Sequence, residues 1–265
     1  MRLLHLAVLA ASLGGCASPA HSVDRKQAAA RNQTQDGPAG HVVVTTASRD
    51  TAALSYRFFL GVQYELHQHM PPESHLVDLW YRLSYSGMRE TERDAHVPPE
   101  RTITVHGKSV RATVPMRRGA YFSLPAIQDA YDEDAELVVG GTSRPWLGVW
   151  WTLRVPDSRR MAYADVRRAR AQIAAVQGKI SGHSHLYLKT VKRQPYDGIK
   201  ACFHDDSGAI LVDGKAVADA TEGRCRVLFS DPGRIADDSS IAFSGPLDVV
   251  SFIDRSYYRP LAKGM

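Results

Sequence analysis

Eleven histidines are spread through the 265 residues, and two pairs of them, His67 with His69 and His183 with His185, are separated by a single residue. On a β-strand, positions i and i+2 project from one face, which suits two ligands of one metal ion. A complete centre needs further donors, and His75, His96, His204 and Asp205 are the candidates. A metal-dependent hydrolase is therefore one reading of the chain. A second set, Trp146, Trp150 and Trp151 with Arg144 and Arg154 nearby, has the chemistry to stack on a sugar ring or grip a partner. Alternation along a strand makes at least one of Trp150 and Trp151 a core residue. Other chemistries lack their local patterns. No G-x-S-x-G or S-x-x-K supports a serine nucleophile, and neither a calcium loop nor a glycine-rich phosphate loop occurs. The acid runs at 132–134, 205–206 and 237–238 read as turns, because adjacent side chains point in different directions.

Positioning such residues falls to short strands and one helix. The apolar run 41–47 opens the folded part as a strand. Phe58, Leu60, Val62, Tyr64 and Leu66 alternate, which predicts a strand there, although 53–60 would also serve as a helix. Val77, Leu79, Tyr81, Leu83 and Tyr85 form a period-2 face, followed by a polar, proline-bounded loop over 87–100. A hairpin is expected over 101–114 around His106-Gly107-Lys108. Further strands are expected at 120–124, 136–139, 149–155, 186–191, 199–203, 209–212, 215–218 and 224–229. Ala162, Val166, Ala169, Ile173 and Val176 predict an amphipathic helix over 159–177, started by Asp157 or Ser158 and ended by Gly178. Arg160, Arg167 and Arg168 fall off its apolar stripe and form a basic face, a second candidate ligand surface together with the basic tail 255–265. The fold class is α+β, β-rich, with antiparallel sandwich-like sheets and one main amphipathic helix.

Hydrophobic residues at 44% and charged residues at 23% exclude a disordered chain and a multi-span membrane protein. The first residues are different in kind. Arg2 precedes an apolar stretch over 3–13 that is too short to span a bilayer comfortably, and it ends in Leu13-Gly14-Gly15-Cys16. This resembles the lipobox of bacterial envelope lipoproteins, and the resemblance is limited to the leader. It implies cleavage before Cys16, a diacylglycerol on its thiol and acylation of the new amine, a set of chains sufficient for a stable anchor. Ala17, rather than aspartate, implies release to the inner leaflet of a Gram-negative outer membrane, facing the periplasm. On that reading 1–15 is a signal peptide, 16–40 a polar tether, and 41–265 a globular body of one domain or two closely packed lobes, 41–156 and 157–265.

In an oxidising compartment Cys202 and Cys225 remain as an even pair whose expected role is a disulfide, since no C-x-x-C spacing supports a redox or metal role. Formal charge falls from +5 to +4 once Arg2 is removed, so the basic balance is slight. Asp94-Ala95-His96 and Ser181-Gly182-His183-Ser184-His185 look like the end motifs of calcineurin-like metallophosphoesterases. The Gly-Asp-x-x-Asp and Gly-Asn-His segments that would supply the rest of that centre do not occur, which sets the family aside. The leading expectation is a non-enzymatic lipoprotein without a cofactor, a binding or assembly-accessory module for an envelope protein, lipid or glycan. Nucleic acid is not a partner available there.

Overall fold

A computed structural model describes residues 54–72, 76–85, 88–97, 102–140, 145–179, 196–231 and 233–255, all within one compact unit. The expected strands at 41–47 and 186–191 and the C-terminal end of the basic tail lie outside them. The fold is α+β with antiparallel sheets. Its centre is a seven-stranded sheet ordered β12 (Ala220–Glu222), β13 (Cys225–Phe229), β9 (Gly198–Phe203), β15 (Leu247–Ile253), β7 (Pro145–Leu153), β2 (Val77–Tyr85) and β5 (Tyr121–Phe122). β2 and β7 pair along their full length, from Val77 opposite Leu153 to Tyr85 opposite Pro145. Two four-stranded sheets accompany it. One runs β1 (Leu54–Ser55), β6 (Glu136–Val139), β3 (Ile103–His106), β4 (Arg111–Val114), and includes the expected hairpin. The other runs β11 (Lys215–Ala216), β10 (Ala209–Val212), β14 (Ser240–Ser244), β8 (Arg160–Ala162).

Residues 58–66 form no strand. They lie in α1 (Tyr56–Gln68), which starts at Ser55, whose hydroxyl accepts from the Phe58 amide. Tyr56, Phe59, Leu60, Gln63 and Leu66 face inward at helical spacing, whereas Tyr64, which alternation would pair with Leu66, is half exposed. Tertiary bonds select the helix: Gln63 donates to the Leu124 carbonyl at 3.0 Å and accepts from its amide at 3.0 Å. The main helix, α4 (Tyr163–Lys179), buries Val166, Ala169, Ile173 and Val176 as expected. It starts later than expected, because 160–162 are drawn into β8 by pairing with β14, and Asp157 and Ser158 lie in a turn. Gly178 does not end it but lies within its last turn. The loop expected over 87–100 contains α2 (Glu90–Ala95), and a further short helix, α3, covers Gln128–Asp132. β1, β8, β12, β14 and β15 were not among the expected strands; β14 and β15 carry Ile241, Phe243, Val250 and Phe252 into the interior.

The central sheet has two unlike faces. Val77, Leu79, Tyr81 and Leu83 lie with Leu147, Val149, Trp151, Ile199, Phe203, Val250 and Phe252 in one hydrophobic cluster that includes the inner sides of α1 and α4. The alternate residues, Asp78, Trp80, Arg82 and Ser84 on β2, and Trp146, Trp150 and Thr152 on β7, point the other way. Lys200 and Cys202 of β9, Ser251 of β15 and Tyr121 of β5 share that second face by register.

Candidate functional site

A strand face carrying arginine and lysine would normally meet water, yet Arg82 and Lys200 are both 0% exposed. Glu90 and Asp94 of α2 cover them, and i, i+4 spacing places these two carboxylates on one side of the helix. Glu90 Oε1 accepts from Arg82 Nη1 at 2.8 Å and Lys200 Nζ at 2.7 Å. Asp94 accepts from Arg82 Nη2 at 2.5 Å and from Lys200 Nζ at 2.9 Å. Arg93 Nη2 reaches the second Glu90 oxygen at 2.9 Å, and Glu222 lies 3.7 Å from Lys200. Three cations thus face three carboxylates, which is how buried charge is tolerated. The Arg82 guanidinium is also 4.6 Å from the ring centroids of both Tyr121 and Trp150, and Arg93 lies over Trp146 at 5.0 Å. Burial works against its charge, but Tyr121, Glu90 and Asp94 outweigh that and raise the Arg82 pKa above its ordinary value.

The peptide before β5 is shaped to this network. Arg82 Nε donates to the Gly119 carbonyl at 2.7 Å, and the Gly119 amide donates to the His96 carbonyl at 2.9 Å. Gly119 has φ 71, and a Cβ there would approach the Tyr121 ring to 2.9 Å, so both conformation and space require glycine. Ala120 follows at φ 62, a left-handed conformation that a non-glycine residue adopts at a cost.

Beside Tyr121 opens a cleft of about 630 Å³. Its walls carry Arg117, Arg118, Arg154, Arg159 and His204, with Trp80 and an apolar strip formed by the partly buried Val155 and Leu247. Asp78 pairs with Arg154 at 2.6 Å. Asp248 is the hub on the other side: His204 Nε2 lies 2.6 Å from it, Arg118 Nε 3.2 Å, and Arg224 Nη1 is also bonded to it. The Arg224 Nε donates to the Asp94 carbonyl at 3.0 Å, so the cleft wall and the buried network are bonded together. Arg117 stacks over Trp80 at 4.3 Å, and the Arg159 guanidinium donates to the Gly245 carbonyl. Neither Arg117 nor Arg159 has a carboxylate within ion-pair distance among the described residues. The disulfide Cys202–Cys225 joins facing residues of β9 and β13, one position from His204's strand end and adjacent to Arg224.

Tyr121 separates cleft from network and is 2% exposed, with a pKa raised by burial against the opposing pull of Arg82. Its hydroxyl has no hydrogen-bond partner among the described residues. Tyr121→Phe is therefore expected to leave the unfolding free energy unchanged or raise it by about 1 kcal/mol in urea titration. A loss of more than about 1 kcal/mol would show instead that the hydroxyl is bonded in the native state.

The residues singled out from sequence are distributed differently. His67 lies in the last turn of α1 and His69 caps it, so the two point about 200° apart around the helix axis instead of sharing a strand face. His183 and His185 are outside the described residues. Among the described residues one group has metal-ligating proximity, Asp94 with Cys202 and Cys225, and its two sulfurs are bonded to each other. Trp150 and Trp151 are both buried on opposite faces of β7, while Trp146 is partly buried beneath Arg93. Arg160, Arg167 and Arg168 are exposed; Arg167 pairs with Asp237 and Arg168 with Asp165. Cys16 precedes the described residues, and no described helix is long and apolar enough to cross a membrane. The cleft was missed because its cations come from four separated segments, 117–118, 154, 159 and 204. Trp80 carried the available signal, lying on the polar alternate of a strand whose other face is wholly apolar. Compared with known families, curated proteins and solved structures, the chain matches none of them.

Proposed function

We propose that this chain is a lipid-anchored lipoprotein of the outer membrane that presents a binding cleft to the periplasm and acts as an envelope-binding or assembly-accessory module. The observation that carries the binding part is the cleft bounded by Arg117, Arg118, Arg154, Arg159 and His204. It is backed by a buried ion network and a disulfide that hold its wall in place before any ligand arrives. Its volume lies within the range of small-molecule sites. The anchor rests on Leu13-Gly14-Gly15-Cys16. Tethering would raise local concentration at the membrane, so that even weak contacts are occupied.

Growth with a clickable fatty acid is expected to label the wild-type chain, and Cys16→Ala is expected to abolish the label and release the protein from the membrane fraction. Equal labelling of both would contradict the anchor. In-cell crosslinking should recover a discrete envelope component with the wild-type protein. Recovery of the folded monomer alone would contradict the binding role.

A further inference from the structure

Among the cations of the cleft, Arg159 holds the least comfortable position. Its backbone has φ 54, in the left-handed region that glycine adopts readily and arginine does not. Three bonds fix it there: its amide donates to the Pro156 carbonyl at 2.8 Å, its carbonyl accepts from the Phe243 amide at 3.0 Å, and its guanidinium donates to the Gly245 carbonyl. Ala120, next in sequence to Tyr121 of the cleft lining, is also left-handed, one of four such non-glycine positions among the described residues. Strain of this kind concentrates where side-chain placement serves binding or switching.

Charge then narrows the ligand. Two of the three acids in the lining are satisfied internally, Asp78 by Arg154 and Asp248 by Arg118, Arg224 and His204; the third, Asp157, is exposed at the rim. Arg117 and Arg159 remain without a carboxylate partner among the described residues, and Arg118 shares one with two other donors. A monoanionic, planar carboxylate would only compete with the intramolecular ones already in place. A dianionic tetrahedral group offers more charge and acceptor oxygens in several directions, matching cations that enter from separate walls. The apolar strip and the Trp80 side leave room for a compact organic body beside it.

Resting on the reading of this chain as a binding module, we propose that the cleft is a site for a phosphate monoester of a small molecule about the size of a sugar. Arg117, Arg118 and Arg159 hold the phosphoryl oxygens, and Trp80 with the neighbouring apolar wall holds the body.

The test is titration calorimetry on the full chain in detergent micelles with three probes: glucose 6-phosphate, inorganic phosphate and glucuronate. Saturable binding of glucose 6-phosphate is expected, at least tenfold tighter than glucuronate, and weakening as salt is raised. Inorganic phosphate should compete for the same site. Arg159→Gly is the informative variant, because glycine suits that backbone: it should melt at or above the wild-type temperature and yet bind glucose 6-phosphate at least fivefold more weakly. Arg117→Gln, at a residue in a stacking contact but no ion pair, should weaken binding similarly. No saturable binding of either phosphate, equal binding of glucuronate, or unchanged affinity in both variants would overturn the proposal. In those cases a crosslinked envelope component recovered from cells would leave the binding reading intact, whereas absence of any crosslink would remove that reading separately.

Discussion

Replacing Arg82 by methionine is expected to lower the unfolding free energy by about 3–5 kcal/mol, the usual consequence of removing one partner from a buried ionic group. For a domain of this size that corresponds to a fall in melting temperature of roughly 6–20 °C. Methionine preserves much of the volume between Tyr121 and Trp150, so the effect isolates the charge. Glu90 and Asp94 would each lose a bond from Arg82, and the Gly119 carbonyl would lose its donor. Arg154→Met is the matched control, because its pair with Asp78 is half exposed and worth no more than about 1 kcal/mol. If the two variants unfold at the same urea concentration, the buried network does not hold the fold as described. Adding Asp94→Asn to Arg82→Met should recover part of the loss, since it removes the carboxylate left in excess while Glu90 still pairs with Lys200 and Arg93.

The second large effect concerns the disulfide. Cys202→Ala with Cys225→Ala is expected to reduce stability by about 3 kcal/mol in the chain-entropy account, given a separation of 23 residues. The wild-type urea midpoint should fall on addition of a reductant and the double variant should not respond. Function should follow stability here. His204 adjoins β9 and Arg224 adjoins β13, and both bond Asp248, so freeing the two strands loosens one wall of the cleft. A double variant as stable as the oxidised wild type would contradict this role.

Much of the sheet was legible because it follows period-2 alternation. Val77 to Tyr85 and the hairpin over 103–114 needed only local pattern and turn chemistry. Residues 58–66 misled because aromatic and aliphatic residues alternate there by chance while the inward set 56, 59, 60, 63 and 66 is equally complete; the bonds of Gln63 and Tyr56 to 124–127 decide between them. The ion network was less accessible. Arg82 sits on what reads as a solvent face, and it is buried only because α2 folds across it. A six-residue helix is too short to form on local propensity, so its existence depends on the contacts it makes. The i, i+4 acids Glu90 and Asp94 were the visible half of that arrangement, and Lys200, alternating with Ile199 and Ala201, was the other. The Cys202–Cys225 pairing was expected from an even pair of cysteines in a chain read as exported, and its register across β9 and β13 adds the geometric reason.

The most direct test of a membrane-tethered binding cleft is site-directed photocrosslinking in living cells, with a photoreactive residue placed either at Asp157 on the cleft rim or at Arg167 on the exposed side of α4. Asp157 lies outside the proposed phosphate contacts, so its replacement leaves Arg117, Arg118 and Arg159 in place. A discrete adduct from position 157, absent from position 167 and reduced when Cys16→Ala removes the anchor, is the predicted result. Adducts from position 167 alone, or none from either position in a folded protein, would contradict it.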